Sequence, residues 1–166
     1  VSEGGLAPGP IERARATDAR ALSRLAAACL PEPWSEAGFA EEIAAEGARV
    51  WLVRGPAGEP IAYLAARRVL DEIQVLSLAV AAHERRRGLG RALVEHALAE
   101  EGALAAAHLE VRGDDAGAQA FYRSLQFRPT GRRIGFYRGG IDAISMSRDL
   151  LRYPPGCPNR GELVNP

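Results

Sequence analysis

No apolar run in this chain approaches the length that spans a bilayer, and the first thirty residues lack the charged, apolar and small-residue regions of a signal peptide. A cytoplasmic location without membrane contact is the expectation. Cysteine is scarce: Cys29 and Cys157 lie far apart without metal-ligand spacing, and read as a reduced pair in that compartment. His83, His96 and His108 are not spaced as a ligand set either, so no metal is expected. Net charge is zero, which argues against a nucleic-acid partner held by bulk electrostatics. No Gly-x-x-x-x-Gly-Lys-Ser/Thr run occurs, which excludes a P-loop.

What is present suits one globular domain. The 166 residues suffice for a single core and are too few for two of ordinary size. A composition 47% hydrophobic and 25% charged is that of a folded chain. Residues 1–10, rich in Gly and Pro, read as a mobile leader; 11–150 as the domain; and 151–166 as a Pro-rich extension.

Within the domain, Ile11 to Ala14 can form a first strand. Thr17 or Asp18 suits the N-cap of a helix over Ala19 to Leu30, which Pro31 and Pro33 end. Ser35 can cap a second helix, Glu36 to Glu46, with Phe39 and Ile43 on one face. Arg49 to Arg54, Pro60 to Leu70 and Glu72 to Val80 read as three strands joined by antiparallel hairpins. A helix opens near Gly88, a strand covers Ala106 to Val111, and Asp114 or Asp115 caps a helix through Leu125. Phe127 to Arg132 and Asp142 to Arg148 supply two last strands. The order βααβββαβαββ predicts a single α/β domain, a mixed and mainly antiparallel sheet flanked by helices.

The segment richest in chemistry is Val75 to Ala92, VLSLAVAAHERRRGLGRA, an apolar strand that breaks into three arginines and a Gly-x-Gly opening a helix. Free N–H groups at a helix start, together with the helix dipole, favour a phosphate there. Gly88 and Gly90, lacking Cβ, allow close approach to the backbone and unusual dihedrals. Alone, such a turn is as readily a solvated surface turn. It is not a dinucleotide fingerprint, since the residue three beyond Gly90 is Leu93 and the turn lies mid-chain.

Arg85-x-x-Gly88-x-Gly90 resembles the acetyl-CoA pyrophosphate loop of the GCN5-related N-acetyltransferase superfamily, whose element order is the one predicted above. The chain is most similar to the bacterial ribosomal-protein-alanine N-acetyltransferases. The stretches that carry the likeness are Pro33-Trp34-Ser35-Glu36 with Phe39, Val69-Leu70-Asp71-Glu72, Leu78-Ala79-Val80, Arg86 to Ala92, Leu109-Glu110-Val111-Arg112, Ala120 to Phe127, and Asp142-Ala143-Ile144. They span roughly Pro33 to Asp149.

The resemblance implies acetyl transfer from acetyl-CoA to an amine, with the N-terminal alanine of ribosomal protein S18 as the family's acceptor. It implies that the main chain of Leu78, Ala79 and Val80 pairs with the pantetheine arm while the side chains of Leu78 and Val80 sit in the core. It further implies that Arg86, Arg87, Gly88, Leu89, Gly90 and Arg91 wrap the pyrophosphate, mostly through main-chain donors; Arg85 reads as closing the turn. Glu110 is implied as general base, directly or through a water, and Tyr122 as the acid that protonates the departing CoA thiolate. Without the likeness, Glu110 reads as a solvent-facing strand residue and Tyr122 as a packing partner of Phe121. A backbone N–H of the Leu78 to Val80 strand is the implied holder of the thioester oxygen.

Two places depart from the family. Asp115 stands where Asn is common, which puts a side-chain contact to CoA in question. The acceptor loop, often Arg-Arg-x-Tyr-Tyr, is Arg132-Arg133-Ile134-Gly135-Phe136-Tyr137, so one ring has lost its hydroxyl. A basic acceptor would be welcomed by carboxylates, for which Asp71, Glu72, Glu41 and Glu42 are candidates. An acetyltransferase for a small-molecule amine, and a non-catalytic acyl-CoA-binding sensor, are the alternatives.

Overall fold

The computed structural model describes residues 9–151. All but the last two residues of the expected leader, all but Leu151 of the expected extension, and Cys157 lie outside the described residues. The chain runs β1 (Ile11–Arg13), α1 (Ala19–Cys29), α2 (Glu36–Ala44), β2 (Ala48–Arg54), β3 (Pro60–Val69), β4 (Glu72–Val80), α3 (Leu89–Glu100), β5 (Ala106–Arg112), α4 (Ala116–Ser124), β6 (Arg128–Tyr137) and β7 (Ile141–Asp149). This is the predicted order. The seven strands form one sheet in the order β1-β2-β3-β4-β5-β7-β6. Every pairing is antiparallel except β4 with β5.

The pattern of burial explains the layering. Pro60 to Ala66 of β3 are buried without alternation, as befits a central strand covered on both faces. Neighbouring residues of a strand point to opposite faces, and here they meet different helices. Tyr63 packs edge-on against Phe39 of α2, ring centroids 5.2 Å apart, while Trp51, whose cross-strand partner is Leu64, donates its indole N–H to Glu100 of α3 at 2.8 Å. The sheet is thus sandwiched between α1 and α2 on one side and α3 on the other.

The far end of α3 is pinned by charge. Glu101, its side chain only 4% exposed, sits 2.6 Å from Arg49 of β2, 3.3 Å from Arg13 of β1 and 3.4 Å from Arg68 of β3. A buried carboxylate needs such partners, and these also tie the helix end to three strands.

Local signals held at two of the three caps. Ser35 accepts the Gly38 N–H at 3.1 Å and Asp115 the Ala118 N–H at 2.8 Å, each closing the first turn of its helix. Neither Thr17 nor Asp18 caps α1 in this way. Both lie in a 3-10 turn, Ala16–Asp18, and the Asp18 carboxylate turns back to the Arg15 N–H at 2.8 Å and across to Arg54 at 2.9 Å.

Two further departures shape the site. The register of β3 against β4 passes from Ala65 opposite Ser77 to Ala66 opposite Val75, leaving Leu76 as a bulge that reverses the side-chain alternation of β4. Beyond it Ala79 is fully buried, and Leu78 and Val80 are half-buried against the edge of the core rather than within it. The second departure is β6, which continues five residues past Arg132, so the expected acceptor loop is the distal half of an edge strand. It is exposed almost throughout and breaks register twice, so it carries no apolar alternation to betray it.

Candidate active site

β4 and β5 pair only from Glu72 with Ala106 to Val75 with Leu109. Past that point each strand continues without the other, and a cleft of about 720 Å³ lies between them. Its walls are Gln74 to Leu78 of β4, Leu109 to Arg112 of β5, the α1–α2 loop from Leu30 to Trp34, Asp115, Ala118 and Tyr122 at α4, and Phe136 to Arg138. Where the ladder lapses, main-chain N–H and C=O groups of the two strands lose their mutual partners, and an extended ligand can take them up.

The cleft brings together Glu110, Tyr122, Asp115 and Leu78 from the sequence-derived set. Glu110 is half-buried, and its Oε1 accepts a hydrogen bond from Arg133 Nη1 at 2.8 Å. Tyr122 is 8% exposed, with its ring edge-on to Phe121 and Phe127 at 5.0 and 5.7 Å. Its hydroxyl makes no hydrogen bond among the described residues. Burial pushes the Tyr122 phenol far above the ordinary tyrosine range, so it is a neutral donor at physiological pH. Tyr137 is also raised, by burial first and then by the negative charge of Glu110.

The arginine turn stands at the end of β4. Arg85 Nε donates to the Val80 carbonyl at 3.1 Å and so closes the turn. Cys29, a free thiol, contacts the same carbonyl at 3.5 Å. Arg86 and Gly88 take left-handed backbone angles, φ +62° and +83°, which turn the chain into α3. The N–H of Ala92 bonds back to Gly88, so those of Leu89, Gly90 and Arg91 precede the ladder, and neither a side-chain cap nor an acidic residue covers them.

The side chains there have separate duties. Arg87 is paired with Glu84 at 2.6 Å and Arg91 with Ser124 Oγ at 3.1 Å, while Leu89 is buried. Gly90 owes its missing Cβ to packing: a Cβ would stand 3.2 Å from Cζ of Phe121, so α3 and α4 touch here. Gly88 has open space around it, and only its backbone angle demands glycine.

The proposed acceptor carboxylates are not in the cleft. Glu42 is buried and forked onto Arg67, and its charge is thereby consumed. Asp71 and Glu72 lie at the opposite end of β4, where the strands are still zipped, and Glu41 is exposed on α2. Glu32 lines the mouth instead. Its Oε1 accepts the Arg138 backbone N–H at 3.0 Å and a contact from Arg112 at 3.3 Å, and the Arg112 guanidinium lies 5.4 Å from the centroid of the Tyr137 ring. The clue in the chain was its setting between two helix-ending prolines. Among the described residues no group of three or more His, Cys, Asp or Glu could hold a metal, and no helix is long and apolar enough to cross a membrane.

Known proteins share this fold. Residues 19–127 match the acetyltransferase (GNAT) family. The [ribosomal protein bS18]-alanine N-acetyltransferase of Escherichia coli K12 is 37% identical over 120 residues, 69% of this chain and 80% of that protein. The N-alpha-acetyltransferase RimI of Mycobacterium tuberculosis H37Rv is 34% identical over 125 residues, 71% and 77% of the two chains. The crystal structure of the ribosomal-protein-S18-alanine N-acetyltransferase from Escherichia coli superposes with a TM-score of 0.79 at 31% identity, covering 90% of this chain and 99% of that one.

Proposed function

The chain belongs to the acetyltransferase (GNAT) family and is an N-acetyltransferase, and on that premise we propose that it transfers the acetyl group of acetyl-CoA to a protein N-terminal α-amine, foremost the alanine of ribosomal protein S18, in the cytoplasm. The observation that carries this reading is the unzipped cleft with Glu110 and Tyr122 in its walls and the uncapped start of α3 beyond β4. The acceptor's identity is supported by 37% identity across four fifths of the Escherichia coli enzyme.

On this reading, the main chain of Leu78, Ala79 and Val80 takes the pantetheine arm as an added strand. The free N–H groups of Leu89, Gly90 and Arg91, with Gly88 and the charges of Arg86 and Arg87, take the pyrophosphate. Asp115 spends one carboxylate oxygen on its helix cap, which leaves the other for a ligand donor.

The chemistry follows from ordinary pKa values. An α-amine near 8 is roughly a tenth neutral at pH 7, whereas a lysine amine near 10.4 is almost wholly protonated. A modest base is enough. Glu110 takes one proton from the acceptor ammonium, directly or over one water, and the nitrogen forms its bond to the thioester carbonyl carbon. As the C–S bond breaks, Tyr122 gives its proton to the sulfur and recovers one from the nitrogen that becomes the amide. The net proton leaves through Glu110, and the products are the acetylated N-terminus and CoA thiol.

The test is acetylation by the purified protein of a peptide bearing the S18 alanine N-terminus, read by peptide mass and by CoA release. An N-terminally blocked peptide is the control. No turnover above background would end this reading, and a higher kcat/KM for a polyamine or aminoglycoside than for any peptide would reassign the acceptor to small amines.

A further inference from the structure

Glu110 is paired with a cation on one of its oxygens. Its bond to Arg133 is a single N–H to a single oxygen, and the other Glu110 oxygen has no partner among the described residues. Arg133 is not part of the cleft lining. It reaches over the rim from β6, with its guanidinium carbon 4.1 Å from the centroid of the Phe136 ring. Its side chain is 56% exposed against 20% for Glu110. A monodentate contact with water on the arginine side is a weak one, unlike a bidentate fork.

We infer that Arg133 is a displaceable counter-cation, which holds the Glu110 carboxylate oriented until an acceptor arrives and then yields that oxygen to the acceptor's α-ammonium. This rests on the cleft being the acceptor site. A guanidinium and an ammonium make the same charge-assisted contact, so one can replace the other on a single oxygen. Arginine cannot give up its proton to the carboxylate, whereas an α-ammonium can, so only the exchange starts the reaction. The Phe136 face holds the guanidinium in readiness, and a ring without a hydroxyl offers no polar atom to draw it away. Acceptors without positive charge on the reacting nitrogen cannot make the exchange. The displacement therefore selects a free, cationic amine, with Arg133 as a specificity-determining residue.

The other charged or titratable groups facing Glu110 are His108 and Arg112 on its own strand face, Glu32 of the α1–α2 loop, Tyr137 and Arg138 at the end of β6, and Asp115 and Tyr122 at α4. None of the other cations among them is bonded to Glu110.

The experiment measures acceptor KM for wild type, Arg133→Ala, Glu110→Gln and the double variant. The acceptors are an alanine-initiated peptide and alaninamide, whose ammonium is the same without a peptide's side chains. Removing Arg133 should lower KM by up to about fivefold, as expected for an exposed ion pair, with a smaller change in kcat. Arg133→Lys, which keeps the charge without the flat face, should fall between. In the Glu110→Gln background the loss of Arg133 should leave KM unchanged. An unchanged or raised KM in Arg133→Ala, or an equal fall in both backgrounds, overturns the inference.

The two readings fail separately. Full kcat in Glu110→Gln would remove the base while leaving the KM coupling standing. If neither acceptor is turned over, the NMR signals of the Arg133 guanidinium with and without alaninamide, in wild type and in Glu110→Gln, read the displacement directly; signals indifferent to alaninamide in wild type would sink it.

Discussion

Glu32 accepts the backbone N–H of Arg138 at 3.0 Å across 106 residues of chain, and so ties the α1–α2 loop to the β6–β7 hairpin over the mouth of the cleft. Removing the carboxylate should loosen the acceptor side alone. Glu32→Ala is expected to raise acceptor KM by about fivefold, the worth of one hydrogen bond of ~1 kcal/mol, and to leave acetyl-CoA KM and the unfolding midpoint almost unchanged. An equal rise in both KM values would show a general loss of structure instead.

The two proposed chemical groups should separate from binding. Glu110→Gln is expected to lower kcat by about a hundredfold with little change in acetyl-CoA KM, and to push the rate optimum toward the pH at which the amine deprotonates unaided. Tyr122→Phe keeps the packing against Phe121 and Phe127 and should also act on kcat. Wild-type rates in both would leave the cleft without its assigned chemistry.

The two glycines of the turn should fail differently. Gly88→Ala meets no atom within 4 Å but must hold φ +83°, at a cost of about 1 to 2 kcal/mol in stability. Gly90→Ala presses on Phe121, whose ring packs on Tyr122, so it should cost kcat even where the fold survives. Steady-state kinetics beside denaturant curves distinguish the two.

Glu101→Ala should damage stability although it lies far from the cleft. It leaves Arg49, Arg13 and Arg68 without their common partner, and about 2 to 3 kcal/mol of stability is the expected loss, less than for a wholly buried pair because the arginines are partly exposed. The urea midpoint reads it.

Tyr63 gives an alkaline signature. Burial raises its phenol to about 12, opposed by its 2.7 Å hydrogen bond with Ser77. The unfolded chain releases that proton first, near 10, so the stability is whole below about pH 10 and drains as pH climbs toward the folded value. Tyr63→Phe should flatten the stability curve across that window, as thermal melts at stepped pH would record.

Short-range features of this fold were legible in the chain, and long-range ones were not. Ser35 and Asp115 announce their caps because a cap needs only the next three residues. The β2–β3–β4 hairpins follow from strands separated by turn residues. Nothing local marks Leu76 as a bulge, since a bulge is defined by the partner strand, and nothing local pairs Glu32 with Arg138 or Glu101 with Arg49. Glu42 misled as a free carboxylate because its partner Arg67 lies 25 residues away on β3. Glu110 and Tyr122 stood out through family likeness, and a solitary carboxylate at a strand end carries no other mark.

The anchoring of α3 has a mechanical consequence for its other end. The helix has 12 residues and is therefore about 18 Å long, a lever fixed at Glu101 with the arginine turn at its tip. A tilt of about 5° at the anchor would carry the tip about 1.5 Å, well beyond the ~0.5 Å within which a working site must be held. Substitutions among Arg13, Arg49 and Arg68 can thus misaim the far turn without touching it.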